Sequence, residues 1–417
     1  MHNTGQDMTE PQNQQNESRL LMGPGPSNVS SRVLRAMSRP LVGHLDPEFL
    51  HSMNEIQDLL RKVFQTSNRL TLPLSGTGSS GMEAAVVNSV EEGDSVLVGV
   101  NGVFGQRIAE MVRRNGGICT EVSVPFGEPL NPEAMAEAAE KCKPRIIAVV
   151  HAETSTGVLQ PLEPIRELCD RFDALFLVDT VTSLAGHPVD VDSLKIDICY
   201  SGTQKCLGCP PGLAPLTVST AAEDKVRNRS TKCKSWYLDL KLIGSYWGNE
   251  RVYHHTAPIS MNYALHEALS IIMEEGLEAR WERHQRNHKA LVAGLEGMGL
   301  GMHVEEEYRL WPLNTVRIPE GVDDTKVRGQ LLNEFQLEIG GGLGDLKGKV
   351  WRVGLMGENS RSRNVFQFLA ALETCLRSQG FQCAAEAGVG AAAEHYSNLA
   401  CSEEPHLDNR AESEEMA

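Results

Sequence analysis

Leu175-Phe-Leu-Val-Asp179 is a short apolar run that closes on a carboxylate, and Lys205 follows 26 residues later in the polar turn Ser201-Gly-Thr-Gln-Lys205. The run reads as a buried parallel strand with Asp179 at its C-terminal end, where open α/β sheets place their ligands. Ile196-Asp-Ile-Cys-Tyr200, just before the turn, reads as the next strand. A lysine placed there is either a solvated loop residue or an amine kept neutral by desolvation and able to form a Schiff base. A carboxylate for a ring nitrogen and an amine for an aldehyde are what pyridoxal phosphate requires. The pair alone is a weak pattern and needs a phosphate site beside it.

Ser75-Gly-Thr-Gly-Ser-Ser-Gly-Met-Glu83 offers one. It follows the apolar run Leu70 to Leu74 and precedes Met82-Glu-Ala-Ala-Val-Val-Asn88, a segment of good helix formers. Glycines admit backbone N–H groups to an anion, Thr77 and Ser79 add hydroxyls, and the helix start adds its dipole. The stretch matches neither the Walker pattern nor the dinucleotide fingerprint, and taken alone it reads equally as a turn.

Outward from these motifs, apolar runs alternate with helical stretches. Ser95-Val-Leu-Val-Gly-Val100, Arg145-Ile-Ile-Ala-Val-Val150 and Leu175-Phe-Leu-Val178 are expected strands, and Gln106 to Arg114, Pro132 to Cys142 and Pro161 to Arg171 expected helices. Such alternation predicts an α/β fold with a mostly parallel, helix-covered sheet. From Leu277 an amphipathic helix with Leu277, Trp281, His284 and Leu291 at helical spacing leads into a second, smaller α/β domain. There, strands are expected near Asn314 to Ile318, Leu337 to Ile339 and Val350 to Val353, with helices at Thr325 to Glu334 and Asn364 to Arg377. Arg352 interrupts an otherwise apolar strand; it calls for an anion, either a protein carboxylate or that of a ligand.

The 417 residues suffice for one large and one smaller domain, and a net charge of −16 argues against a nucleic-acid footprint. The ten cysteines are scattered rather than framed. Met1 to Ser18 is polar without an apolar leader core, no run is long enough for a membrane span, and Glu-Glu-Met-Ala417 is not a Ser-Lys-Leu address. The expectation is a reduced, cytoplasmic protein. Cys206-Leu-Gly-Cys209 has the Cys-x-x-Cys spacing but no second ligand pair, so packed thiols rather than a metal are expected. Residues 1–19, rich in Asn, Gln and Glu, are expected to be disordered, as is the acidic tail 381–417, where eight acidic residues face one arginine.

Several stretches together resemble one family. They are Leu21-Met-Gly-Pro-Gly-Pro-Ser-Asn28, Asn101-Gly-Val-Phe-Gly-Gln-Arg107, Glu153-Thr-Ser-Thr-Gly-Val-Leu-Gln-Pro161, Ser201-Gly-Thr-Gln-Lys205 with Pro210-Pro-Gly212, Tyr253-His-His-Thr256 and Gly340-Gly-Gly-Leu-Gly344. In this order they look like the alanine–glyoxylate and serine–pyruvate aminotransferases, class V pyridoxal-phosphate enzymes of fold type I. The likeness runs from about Leu20 to Leu376. It implies a large cofactor domain with an N-terminal arm (20–276), a small C-terminal domain (277–380), and an obligate homodimer with composite sites.

By this resemblance Lys205 carries the cofactor and serves as base, and Asp179 meets the ring nitrogen. Thr77, Gly78, Ser79 and Gln204 hold the phosphate, with Tyr253 and Thr256 reaching across the dimer interface to it. Phe104 stacks on the ring, where relatives often have Trp; Thr154 and Ser183, which alone read as helix caps, lie near it. Gly25, His44 and Arg352 are implied in binding the substrate, Arg352 through the carboxylate. The substrates implied are small amino acids and 2-oxo acids. A cysteine desulfurase would need a catalytic Cys in the second domain, and none lies between Cys233 and Cys375. The related ureidoglycine–glyoxylate aminotransferases resemble this chain too, but typically carry Asn at the position of Tyr253 and Gln at that of His44.

Overall fold

The computed structural model describes residues 19–402. The expected disordered tail 1–19 therefore lies outside the described residues except for Arg19. A seven-stranded sheet forms the centre of the large domain: β1 (Leu70–Ser75), β2 (Ser95–Val100), β3 (Ile118–Ser123), β4 (Ile146–Val150), β5 (Leu175–Asp179), β6 (Ile198–Tyr200) and β7 (Leu213–Val218), in the order β1-β7-β6-β5-β4-β2-β3. Neighbours pair in parallel from β6 through to β3, while β7 runs antiparallel to both β6 and β1. β4 is buried throughout and β5 nearly so, because helices cover both faces of the sheet. In-register pairing sets Val150 beside Asp179, and Asp179 beside Tyr200, so the strand ends meet on one edge.

Two of the sheet strands do not announce themselves. β7 carries Pro215, which argues against an interior strand, yet Pro215 lies directly opposite Pro73 of edge strand β1. β3, the other edge, alternates exposed and half-buried positions and has no apolar run.

The helix expected from Leu277 spans Leu277–Gly297, and a second, smaller sheet follows it. That sheet is antiparallel, with β10 (Val350–Gly354) between β8 (Leu313–Arg317) and β9 (Gly340–Gly341). Two expectations need correction. Leu20–Leu21 pairs in parallel with Leu337–Glu338, and Met22 packs into the small-domain core, so the start of the arm belongs to that domain rather than the large one. The tail expected to be disordered from 381 instead forms a helix over Ala387–Ser402. Gly294 and Gly297 let it approach closely, Ala392 is fully buried, and the Tyr396 hydroxyl donates to Asn287 Oδ1 at 2.7 Å. Small residues are here the contact surface of two helices. The rest of that tail lies outside the described residues.

No helix among the described residues is long and apolar enough to cross a membrane. Cys206 and Cys209 are buried free thiols, and no cluster of metal-ligating side chains occurs among the described residues.

Three histidines, His151, His284 and His288, are buried where the two domains meet, with His187 half-buried beside them. Gly357 N–H donates to His284 Nε2 at 3.0 Å, so His284 Nδ1 must donate to the Arg280 carbonyl, and the ring is locked neutral. Burial holds His151 down to about 3, His187 and His288 to about 4, and His284 well below its ordinary value. An unfolded chain takes up these protons near its ordinary histidine value, so their stabilisation is full above that value and is lost as pH falls toward 4. Asp179 and Glu153, pushed up by burial, act in the opposite sense but are fewer. The urea midpoint of the cofactor-free protein is therefore expected to fall between pH 7 and pH 5, by about 2 kcal/mol of net stability. A midpoint that rises over this interval contradicts the account.

Candidate active site

Three segments converge at the C-terminal ends of β1, β5 and β6. The first is the start of the helix Gly78–Ser89, whose N-cap residue Thr77 makes no side-chain cap bond; the Ser80 N–H donates to the Thr77 carbonyl, while the Gly78 and Ser79 N–H groups have no such partner among the described residues and can meet an outside acceptor. Gly76 has φ +142°, and a Cβ there would lie 2.5 Å from Ser80 Oγ, so only glycine fits this turn. The second segment is Asp179–Val181: a Cβ on Gly78 would lie 3.2 Å from Val181 Cγ2. The third is the lysine turn, where a Cβ on Gly202 would meet Gln204 Oε1 at 3.0 Å and the Gly78 Cα at 3.4 Å. The glycine-rich loop, Asp179 and Lys205 thus share one small volume.

Asp179 is buried, accepting from Val181 N–H at 2.8 Å and from the Tyr200 hydroxyl at 2.8 Å. No cation pairs with it among the described residues, and burial pushes its carboxyl up to about 7. Lys205 is also buried, and desolvation, with a smaller push from Arg352, lowers its amine to about 8. The amine donates to the Pro24 carbonyl. The arm lies over it: a Cβ on Gly25, at φ +101°, would stand 2.8 Å from Lys205 Nζ, and Ser27 bonds to the carbonyls of Gln204 and Lys205. An alanine at Gly25 would collide with the lysine as well as strain the backbone.

Arg352, in the middle of β10, is buried and has no carboxylate partner among the described residues. Its Nε donates to the Gly341 carbonyl at 2.8 Å and its Nη1 to the Thr154 carbonyl at 3.1 Å. Burial lowers it to about 10. Among the described residues no salt bridge to it forms, which leaves the external-anion reading open.

The other expected residues fall into two groups. Phe104, half-buried, opens the helix Val103–Arg114, and the Thr154 hydroxyl meets that of Thr182. The Ser183 hydroxyl is engaged by His151 Nδ1 at 2.9 Å. Gln204 Oε1 is buried without a partner, while Thr77 and Ser79 open outward. Tyr253, His44 and Thr256 form a separate, more exposed group: the Tyr253 and His44 rings lie 5.0 Å apart, and the Tyr253 and Thr256 hydroxyls 3.4 Å. The two histidines between them are occupied, His255 with Ser75 Oγ at 2.7 Å and His254 with the Trp236 carbonyl at 3.2 Å.

Three contributors escape sequence reasoning. Tyr200 read only as a strand residue, although its pairing with Asp179 follows once β5 and β6 are neighbours. Pro24 acts through its carbonyl, which any residue supplies. Glu153, part of a quoted motif, carries no mark that it would be fully buried.

The chain matches the family model described as aminotransferase class-V over residues 21–331. It is 43% identical over 366 residues to an alanine–glyoxylate aminotransferase of Drosophila melanogaster, covering 87% of this chain and 93% of the relative. The crystal structure of an alanine–glyoxylate aminotransferase from Nostoc sp. superposes with a TM-score of 0.87 at 54% identity, covering 88% of this chain and 98% of that one. The ureidoglycine–glyoxylate aminotransferase structure from Bacillus subtilis gives a TM-score of 0.90 at 40% identity, covering 94% and 100%. With its sheet order, converging motifs and these matches, the chain belongs to the class-V aminotransferases.

Proposed function

We propose that this aminotransferase uses pyridoxal phosphate to move the amino group of alanine to glyoxylate, with serine as the next donor and pyruvate as the next acceptor. The observation that carries the reading is a buried amine of lowered basicity, Lys205, set with a buried carboxylate that lacks a cation and a buried guanidinium that lacks an anion. Each buried charge finds its complement in the cofactor ring or the donor carboxylate. The uncapped helix start and the unpartnered Gln204 Oε1 fit the same group, since phosphate or the water around it supplies what they lack.

When bound, pyridoxal phosphate supplies an aldehyde for an amine and a ring that accepts electrons from the donor's Cα. Asp179 keeps a proton on the ring nitrogen, and Tyr200 and Val181 hold the carboxylate in place for it. Arg352 orients the donor through its carboxylate. The Lys205 amine, at about 8, lies near operating pH and so can take the proton from Cα and give it back. Pro24 and Gly25 close the arm over that amine and restrict the space to small side chains. Thr77, Gly78, Ser79 and Gln204 anchor the phosphate; Phe104, Thr154 and Ser183 border the ring.

A homodimer completes this reading. Leu41, Val252, Tyr253 and Trp236 are all more than half exposed, and the His44–Tyr253 and Trp236–His254 contacts join their segments into one apolar face. A second copy seated there brings Tyr253 and Thr256 to the neighbouring phosphate and His44 to the neighbouring substrate. The free, scattered cysteines support a reducing compartment such as the cytoplasm.

Tyr253 and His44 favour alanine over ureidoglycine, whose enzymes resemble this chain but carry other residues there. The test is to add alanine, serine and ureidoglycine separately to cofactor-loaded protein, follow the visible absorbance, then add glyoxylate or pyruvate. Alanine is expected to bleach the band and glyoxylate to restore it. Bleaching by ureidoglycine alone selects the second reading, and no bleaching by any donor contradicts both.

A further inference from the structure

Glu153 is fully buried beside the site, yet none of the roles above uses it. Its Oε2 accepts from Phe104 N–H at 3.0 Å and Gly105 N–H at 3.3 Å. Its Oε1 accepts from Ser155 N–H at 3.0 Å and from the Ser155 hydroxyl at 2.6 Å. That hydroxyl in turn accepts from Val103 N–H at 2.9 Å. The leading N–H groups of the helix Val103–Arg114 are therefore capped by a turn some 50 residues away, because the N-cap position is Gly102, which has no side chain. A Cβ on Gly102 would lie 2.2 Å from Glu153 Cγ, so the missing side chain is the space that the cap occupies.

The same turn bears on the rest of the site. Thr154 lies between the two capping residues, and its carbonyl accepts from Arg352. Burial pushes the Glu153 carboxyl up, and the four donors that saturate its acceptor sites, with the helix start, act against that push.

We propose that Glu153 is a positioning residue that holds Phe104 and the Thr154–Arg352 contact in register, so that the ring-stacking and carboxylate-binding groups are set by one buried carboxyl group. This rests on the proposed cofactor and donor. Glu153→Gln keeps shape and volume, but its amide nitrogen must face either the Phe104 and Gly105 N–H groups or those of Ser155. One pair of buried donors then loses its acceptor.

The test uses the full chain stripped of cofactor. It measures the dissociation constant for pyridoxal phosphate, the visible circular dichroism of the loaded protein, the KM for alanine, and the melting temperature of the cofactor-free form. E153Q is expected to bind the cofactor roughly 10-fold more weakly, with diminished dichroism and a raised KM for alanine, while the cofactor-free form melts within a few degrees of the parent. Ser155→Ala removes the hydroxyl link but keeps the carboxyl group, and is expected to show the same changes at roughly 3-fold; it carries the test if E153Q does not fold. Unchanged affinity, dichroism and KM in whichever variant folds overturn the proposal. A large drop in melting temperature with cofactor affinity intact also overturns it, leaving Glu153 a cap of the fold alone. If the parent protein takes up no pyridoxal phosphate, it is the functional reading that fails, and the two failures are thus told apart.

Discussion

Lys205→Ala is expected to slow transamination by roughly 10⁴-fold, the scale of a lost general base, while leaving the protein folded. On the proposed reading other site residues still anchor the cofactor, so uptake is expected to weaken without vanishing, and bound cofactor to be no longer covalently attached. Stability is not expected to suffer. The amine sits at about 8 instead of its ordinary 10.5, so burying its charge opposes folding at neutral pH. That cost is present below the lowered value and is relieved as pH rises through 8 toward 10.5. The small cavity left by alanine is offset by removal of a desolvated ammonium. Turnover at the parent rate by K205A, or a large fall in its urea midpoint, would contradict this account of the residue.

Arg352→Ala is the second large effect. The guanidinium is preorganised: the Gly341 and Thr154 carbonyls hold two of its nitrogens, and no carboxylate of the described residues neutralises it. Removing it takes away the charge-assisted bonds to the donor carboxylate and leaves that carboxylate desolvated, a loss of about 2–5 kcal/mol. The loss is expected mainly in KM for alanine, with a smaller change in kcat, because the contact forms when the donor binds and persists afterwards. Arg352→Lys should recover only part of it, since an ammonium lacks the planar fork. Saturation kinetics for alanine unchanged in R352A would remove Arg352 from the donor site.

The buried carboxylate and amine at the centre of this candidate site were legible because their surroundings were. Asp179 ends an apolar run long enough to be a covered strand, and Lys205 follows the next one, so two local patterns place both groups at the same sheet edge. The glycine loop was legible for a related reason: Gly76 needs a conformation that other residues resist. What stayed hidden depends on partners distant in sequence. β7 was obscured by Pro215, whose acceptability rests on Pro73 lying opposite. Glu153 became a helix cap only once the fold brought it against Gly102, and Tyr200 became a donor only through its register with Asp179. The helix Ala387–Ser402 was hidden by the acidic charge of the tail as a whole, although its alanines and glycines let two helices approach closely. Arg352 lay between these cases: its polarity in an apolar strand was visible, but the absence of a carboxylate partner among the described residues was not.

The most direct test of the central claim, that Lys205 is the amine that carries the cofactor, is chemical. Cofactor-loaded protein is reduced with borohydride, digested and mapped by mass spectrometry. The account predicts the pyridoxyl group on Lys205, in parent protein but not in K205A. A label spread over surface lysines, or fixed on any lysine other than Lys205, would contradict it.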